Sequence, residues 1–290
     1  MGLEAFIQAT INGLFTGGLY ALLALGLTFV FGIMRIINFS HGELVMIGSY
    51  MTYCLFRVFR LDPFLSLLIT LPISGVVGYI IQRYFVSRIL EAPHLNQILL
   101  TLGLSTVMVN GALLGFSGNF YTIATAYSAQ SIRLGNISFG FLRFLTFLIG
   151  LSLTGGLYIM LKRTMMGKKL RAVSQSLQGA KVVGIDVDGI YLFAFITSSI
   201  LAGIAGTLSV MLMYVHPHVG FSFIVKAFAI VIVGGLGSIP GALLGAMLWG
   251  ILESYTATYI VNGSGWAEAI AFFVMIAFLV IRPKGIFGIE

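Results

Sequence analysis

Few side chains in this 290-residue sequence have the types to do chemistry, and they fall into small groups. RIINFSHGEL, Arg35 to Leu44, places Asn38, Ser40, His41 and Glu43 between two apolar segments. A membrane enzyme would need paired carboxylates, a His cluster or a nucleophile beside a base, and here only His41 and Glu43 stand two residues apart. The same residues can simply make a short turn, with Ser40 or Asn38 accepting a backbone N–H as cap of the next helix. Or they enter an apolar interior partway and order the start of a short, broken segment. Glu253 is the only carboxylate well inside an apolar run, and Lys226 lies near the end of another. Either can snorkel, and Glu253 has an interfacial hydrogen bond as a further option. His216 and His218 flank Pro217 with no third ligand at metal spacing, so no metal site is expected. Cys54 is alone and stands as a small hydrophobe. No Ser/His/Asp set and no chain of Asp, Glu and His is suggested. That argues against a membrane enzyme and against an ion-coupled carrier. Nothing matches the phosphate-cradling G-x-x-x-x-G-K-[ST] loop, so the chain is expected to bind no cofactor and to carry no nucleotide-binding domain of its own.

The elements that position these groups follow from composition. Hydrophobic residues make up 59% of the chain and charged residues 9%. Ordinary soluble domains carry about 25% charge. So little charge cannot cover a water-facing surface, whereas a bilayer asks for none. In hydrocarbon every backbone polar group must be paired internally, which leaves helices or closed barrels. The apolar runs are continuous rather than alternating, and so are helices. The expected fold is an all-α polytopic membrane protein with about eight to nine transmembrane helices, some short or broken. The net charge of +7 then reflects positive loops on the inner side, with no nucleic-acid partner.

The apolar segments run from about Ala5 to Ile33, Glu43 to Phe56, Pro63 to Ile81, His94 to Phe116 and Phe139 to Leu161. They continue with Ile190 to Tyr214, Ile224 to Gly235, Pro240 to Tyr259 and Ala267 to Ile281. The second and seventh are short, which marks them as tilted, broken or re-entrant. With the N-terminus outside, 11 Lys and Arg fall on the inner side and 5 on the outer. A polar loop, SGNFYTIATAYSAQSIRLGN, joins the fourth and fifth segments.

Two stretches stand out. In GGLGSIPGALLGAMLWG, residues Gly237, Gly241 and Gly245 recur every fourth position, a spacing that lets helix backbones touch. Gly234, Gly235, Gly237 and Pro240 cluster too tightly for one continuous helix. A span broken there exposes backbone groups, and transporter sites form at such breaks. In GKKLRAVSQSLQGAKVVGID, residues Leu170, Val173, Leu177, Ala180 and Val183 follow helical spacing opposite a basic, Ser/Gln-rich face. This cytoplasmic stretch reads as an interfacial helix held on anionic lipid, or as a docking helix for a partner, with its glycines making a sharp end.

These blocks, with GLYALLALGLTFVFGIMRIINFSHGELVMIGSY near the start and LVIRPKGIFG at the end, resemble the permease subunit of Liv-type branched-chain amino-acid ABC importers. The likeness runs from end to end. It implies a single transmembrane permease domain over residues 1–290 with a cytoplasmic coupling loop at about 162–189. It implies a bacterial inner (plasma) membrane location, surrounded by lipid. The partners would be two cytoplasmic ABC ATPases, a homologous second permease and an extracytoplasmic substrate-binding protein. On the family's pattern Arg171 and Ala172 begin the coupling helix, and Gly179, Ala180, Gly184 and Ile185 shape its end. The substrate path is expected at Asn38, Ser40, His41 and Glu43 together with Gly234, Gly235 and Gly237. Permeases for urea and short amides are similar, so the resemblance leaves that substrate open.

Overall fold

A computed structural model describes residues 2–287. The nine apolar segments each form a helix: α1 (Leu3–Met34), α2 (His41–Phe59), α3 (Pro63–Tyr84), α4 (His94–Phe116), α5 (Phe141–Arg163), α8 (Val187–Leu212), α9 (Val219–Gly234), α10 (Ile239–Tyr259) and α11 (Gly263–Ile281). Two shorter helices, α6 (Met165–Gln175) and α7 (Leu177–Val182), lie between α5 and α8. Helices α1, α3, α4, α5 and α8 are each long and apolar enough to cross a bilayer, and the bent pair α9–α10 makes a sixth such element if it counts as one span.

Helix α1 is the axis of the bundle. Every residue from Gly17 to Val30 is buried, as a helix apolar all round requires. Glycines let its neighbours come within backbone contact. A Cβ on Gly17 would lie 2.9 Å from the Ala246 carbonyl of α10, and one on Gly13 would lie 2.6 Å from Ile251 Cα. Gly18 meets Phe147 of α5 in the same way. On the other side α2 packs on α8 through Gly48, where a Cβ would stand 2.9 Å from Gly203 Cα. In lipid such close approach supplies the packing that the hydrophobic effect cannot.

The segment after α4 is more ordered than its loop-like composition predicts. Strands β1 (Ser131–Leu134) and β2 (Ile137–Gly140) form an antiparallel hairpin turned at Gly135 (φ 62°). Tyr121 pairs with Val215 across an isolated bridge. The Tyr127 hydroxyl donates to Asp62 Oδ2 at 3.0 Å, and burial with this bond pushes the phenol up to about 12.

The central basic stretch departs from the single helix its periodicity predicts. Ser176 adopts an extended conformation (φ −151°) and splits the stretch into α6 and α7. Its Oγ accepts the Gly179 N–H at 3.0 Å, so it caps α7. The apolar stripe is split as well. Leu170, Val173 and Ala180 are buried, whereas Leu177 is 38% and Val183 72% exposed. Only Gly184 (φ 75°) acts as a terminator, while Gly179 lies within α7.

Candidate functional site

Two interruptions of the helical pattern carry the residues singled out above. The first follows α1. Arg35 takes a left-handed conformation (φ 53°) and the chain turns back along the helix it has just left. His41 Nε2 lies 3.1 Å from the Leu23 carbonyl. Its Nδ1 is 3.5 Å from Ser198 Oγ, which donates to the Gly26 carbonyl at 2.8 Å. Gly26 and Leu23 precede the end of α1 by roughly 12 and 16 Å at 1.5 Å per residue. The polar segment therefore returns well into the bundle, and α2 starts there.

Asn38, Ser40, His41 and Glu43 are all at most 2% exposed. Of the two alternatives for this stretch, a short turn outside and an entry partway into the apolar interior, the burial agrees with the second. Ser40 precedes α2 without capping it. Its hydroxyl and N–H both donate to Asn38 Oδ1, at 2.7 and 3.1 Å, which closes the turn internally. Glu43 meets the start of α9: a Cβ on Gly220 would be 3.0 Å from Glu43 Oε1. Glu43 Oε2 is buried and has no hydrogen-bond partner among the described residues.

The second interruption separates α9 from α10, whose axes bend by 117°. Gly235 (φ 102°) and Gly237 (φ 81°) occupy backbone conformations that disfavour any side chain. Ser238 Oγ accepts the Gly241 N–H at 3.2 Å and caps α10, with Pro240 in the first turn. The carbonyls freed at the end of α9 find partners far along the chain. Ile286 N–H donates to the Val233 carbonyl at 2.7 Å, and Phe287 N–H to Gly234 at 3.1 Å. The stretch from Arg282 to Phe287 thus closes the break. Gly241 and Gly245 serve packing: a Cβ on Gly245 would stand 2.7 Å from the Ile230 carbonyl of α9, and Gly241 lies against Gly234.

The end of α1, α6 and the second break line an open cavity of about 770 Å³. Gly237 and Arg171 line it. Among the other expected pathway residues, the Asn38–Glu43 group lies deeper, against α1, α8 and α9, and Gly234 and Gly235 are buried behind the break. The seven therefore form two places rather than one. The coupling set is also divided. Arg171 and Ala172 lie in the second half of α6 rather than opening a helix, and the Arg171 guanidinium donates to the Leu161 carbonyl at the end of α5. Gly179 and Gly184 are exposed, Ile185 is half-buried and Ala180 is buried.

One group was not foreseen. Lys226 of α9 and Glu253 of α10 do not snorkel apart; their Nζ and Oε1 lie 3.0 Å apart. Tyr20 of α1 donates to the other carboxylate oxygen, and the ammonium stands 5.2 Å from the Tyr20 ring centroid. Glu268 of α11 is 3.9 Å away. The available signal was two lone, opposite charges on consecutive segments. The His216 ring lies tilted against Phe120, centroids 4.9 Å apart, and burial with His218 nearby holds its imidazole below the usual range. Among the described residues no cluster of His, Cys, Asp and Glu could hold a metal.

With this geometry in view, comparison with known proteins is decisive. Residues 9–279 match the family model for the permease component of branched-chain amino acid transport systems. The chain belongs to this family. It is 30% identical to the high-affinity branched-chain amino acid transport system permease protein BraD of Pseudomonas aeruginosa, over 98% of this chain and 96% of that protein. It is 34% identical to the probable branched-chain amino acid transport permease protein LivH of Methanocaldococcus jannaschii, over 94% and 89%. LivH of Escherichia coli is 28% identical over 98% and 96%. The solved structure of PsaBC from Streptococcus pneumoniae in complex with Fab aligns with a TM-score of 0.51 at 16% identity, over 96% of this chain and 92% of that chain, which bears on the fold. This family member is thus a polytopic, all-α membrane protein whose relatives are transport permease proteins.

Proposed function

We propose that this chain is the transmembrane permease subunit of an ATP-binding-cassette importer for branched-chain or other hydrophobic amino acids in a bacterial inner membrane. Two cytoplasmic ATPases hydrolyse the ATP, a homologous permease completes the path, and an extracytoplasmic binding protein delivers the substrate. The chain itself breaks no bond and needs no cofactor.

The observation that carries this reading is the α6–α7 segment. It is the link between two spans and exposes apolar side chains at its tip, with Val182 86% and Val183 72% accessible. Solvent-facing valines beside Lys181 suit a partner's groove. The Arg171 bond to α5 and the Asp186 cap on α8 tie that tip rigidly to both spans. Arg171, Ala172, Gly179, Ala180, Gly184 and Ile185 act here as the coupling set: ATPase closure would push α7 and rock α5 and α8. Asn38, Ser40, His41 and Glu43, with Gly234, Gly235 and Gly237, are the pathway residues of this reading, at the two places where helices are broken beside α1.

The test is uptake in proteoliposomes holding the full complex, with labelled leucine or labelled urea. Leucine uptake that needs ATP and the binding protein, and that Val183→Asp abolishes by releasing the ATPases from an otherwise folded permease, is the expected result. ATP-dependent urea uptake without leucine uptake would move the substrate to the urea and amide class. Uptake without ATP would overturn the importer.

A further inference from the structure

The outward faces of α3 and α4 differ in chemistry. Along α3 the exposed side chains Leu65, Leu68 and Val76 are apolar, while Ser66, Thr70 and Ser74 are buried. Such a face suits lipid tails. In α4 small and polar residues lie outside instead. Among the described residues of α4 only Gln97 and Thr101 are buried, and they tie it to its own chain through the Ala92 and Ile37 carbonyls. On the opposite side Asn96, Leu99, Gly103, Thr106 and Asn110 are exposed. Their spacing alternates three and four, the seam of a helix that packs nearly parallel on another. A Cβ on Gly103 would meet nothing within 4 Å, whereas Gly13, Gly17 and Gly48 each lie against a neighbouring backbone. The Asn110 carboxamide is the deciding group. Its Nδ2 donates to the Thr106 carbonyl at 2.8 Å, and no other hydrogen bond engages this side chain among the described residues. The amide oxygen and the second N–H are thus unused. Asn110 precedes the end of α4 at Phe116 by roughly 9 Å, too deep for so short a side chain to reach the headgroups. Hydrocarbon offers an amide no partner, so another protein surface must.

We infer that this seam of α4 docks on the second permease subunit, against the corresponding helix of that homologous chain, with Asn110 hydrogen-bonded across the interface and Gly103 admitting the partner's backbone. The inference rests on the importer reading, which supplies that subunit, and adds the surface it covers. Two homologous permeases inserted the same way are related by a rotation about the membrane normal. That rotation sets corresponding helices parallel and at one depth, as a seam of threes and fours requires. A carboxamide both donates and accepts, so it pairs with an amide or a hydroxyl presented at its own level. Lipid would satisfy Leu99 but not Asn110.

The experiment uses the purified complex in nanodiscs. A photoactivatable maleimide is attached at Thr106→Cys or, as the control, at Leu68→Cys on the apolar face of α3, both in a Cys54→Ser background. Thr106→Cys should cross-link to the second permease and Leu68→Cys to lipid alone. Gly103→Leu should separate the two permeases on size exclusion yet leave the melting temperature of the full chain alone unchanged, because the Cβ it adds meets no neighbouring atom within that chain. Asn110→Leu should weaken the association roughly 3- to 30-fold, the loss expected for one hydrogen bond between membrane helices. Lipid adducts alone from Thr106→Cys, a cross-link to a second copy of this chain, or association that neither Gly103→Leu nor Asn110→Leu weakens would overturn the seam. The wild-type complex separates this from the reading on which it rests. If a homologous permease copurifies and ATP-driven uptake proceeds, yet none of these effects is seen, the importer stands and the seam falls. If the wild-type chain holds no second permease, both fall.

Discussion

The two helix breaks beside α1 solve one problem by opposite means. Backbone groups exposed in hydrocarbon must find partners. After α1 the partners are side chains: Asn38 closes its own turn on Ser40, and His41 and Ser198 approach carbonyls of α1 and each other. After α9 the partners are backbone. Glycines take left-handed angles, and the terminal segment donates Ile286 and Phe287 N–H groups to α9 carbonyls. A break pinned by side chains can be adjusted one substituent at a time. A break pinned by bare backbone tolerates almost no added atom, since nothing that surrounds it can rotate away.

That contrast orders the expected effects. Gly234→Leu should be the most severe, because a Cβ there would run into the Gly241 backbone. No monodisperse protein should be recovered by size exclusion in detergent; recovery with wild-type melting would refute the hairpin geometry. Next is Lys226→Met, which leaves Glu253 with only the Tyr20 hydroxyl and should cost about 1–3 kcal/mol, since the pair is partly rather than fully buried. The double variant Lys226→Met, Glu253→Gln should regain most of that in thermal melts, whereas additive losses would mean the two do not pair. Ending the chain before Gly285 removes both backbone donors from the second break and should cost about 1–3 kcal/mol per freed carbonyl. Faster amide exchange confined to the end of α9 would be its signature, and unchanged exchange would break the comparison. The mildest change is Ser40→Ala, at about 0.5–1.5 kcal/mol, because Asn38 Oδ1 keeps the Ser40 N–H. A loss at Ser40 exceeding that at Gly234 would reverse the proposed order.

Much of this architecture was legible because lipid permits so few solutions. Continuous apolar runs located all nine long helices, His94–Phe116 to the residue, and the glycine–proline cluster marked the α9–α10 break. Helical periodicity found the buried positions Leu170, Val173 and Ala180 but misread their continuity. A Ser whose hydroxyl can cap a new helix looks the same in sequence as one carried through an old helix, so the split at Ser176 was hidden.

The sequence alone determined the solvent, the helices, the glycine faces and the family, since these depend on local composition and on motifs read along the chain. Tertiary structure decided what lies far apart in sequence yet touches in space. The Lys226–Glu253 pair, the Ile286 and Phe287 closure of α9, and the cavity shared by Arg35 and Arg171 each join elements whose proximity no local pattern encodes. The depth of Asn38 to Glu43 was equally a tertiary matter: a polar turn costs little in water and must be fully bonded inside a bundle, and only the packing of α1, α8 and α9 around it selects the second case.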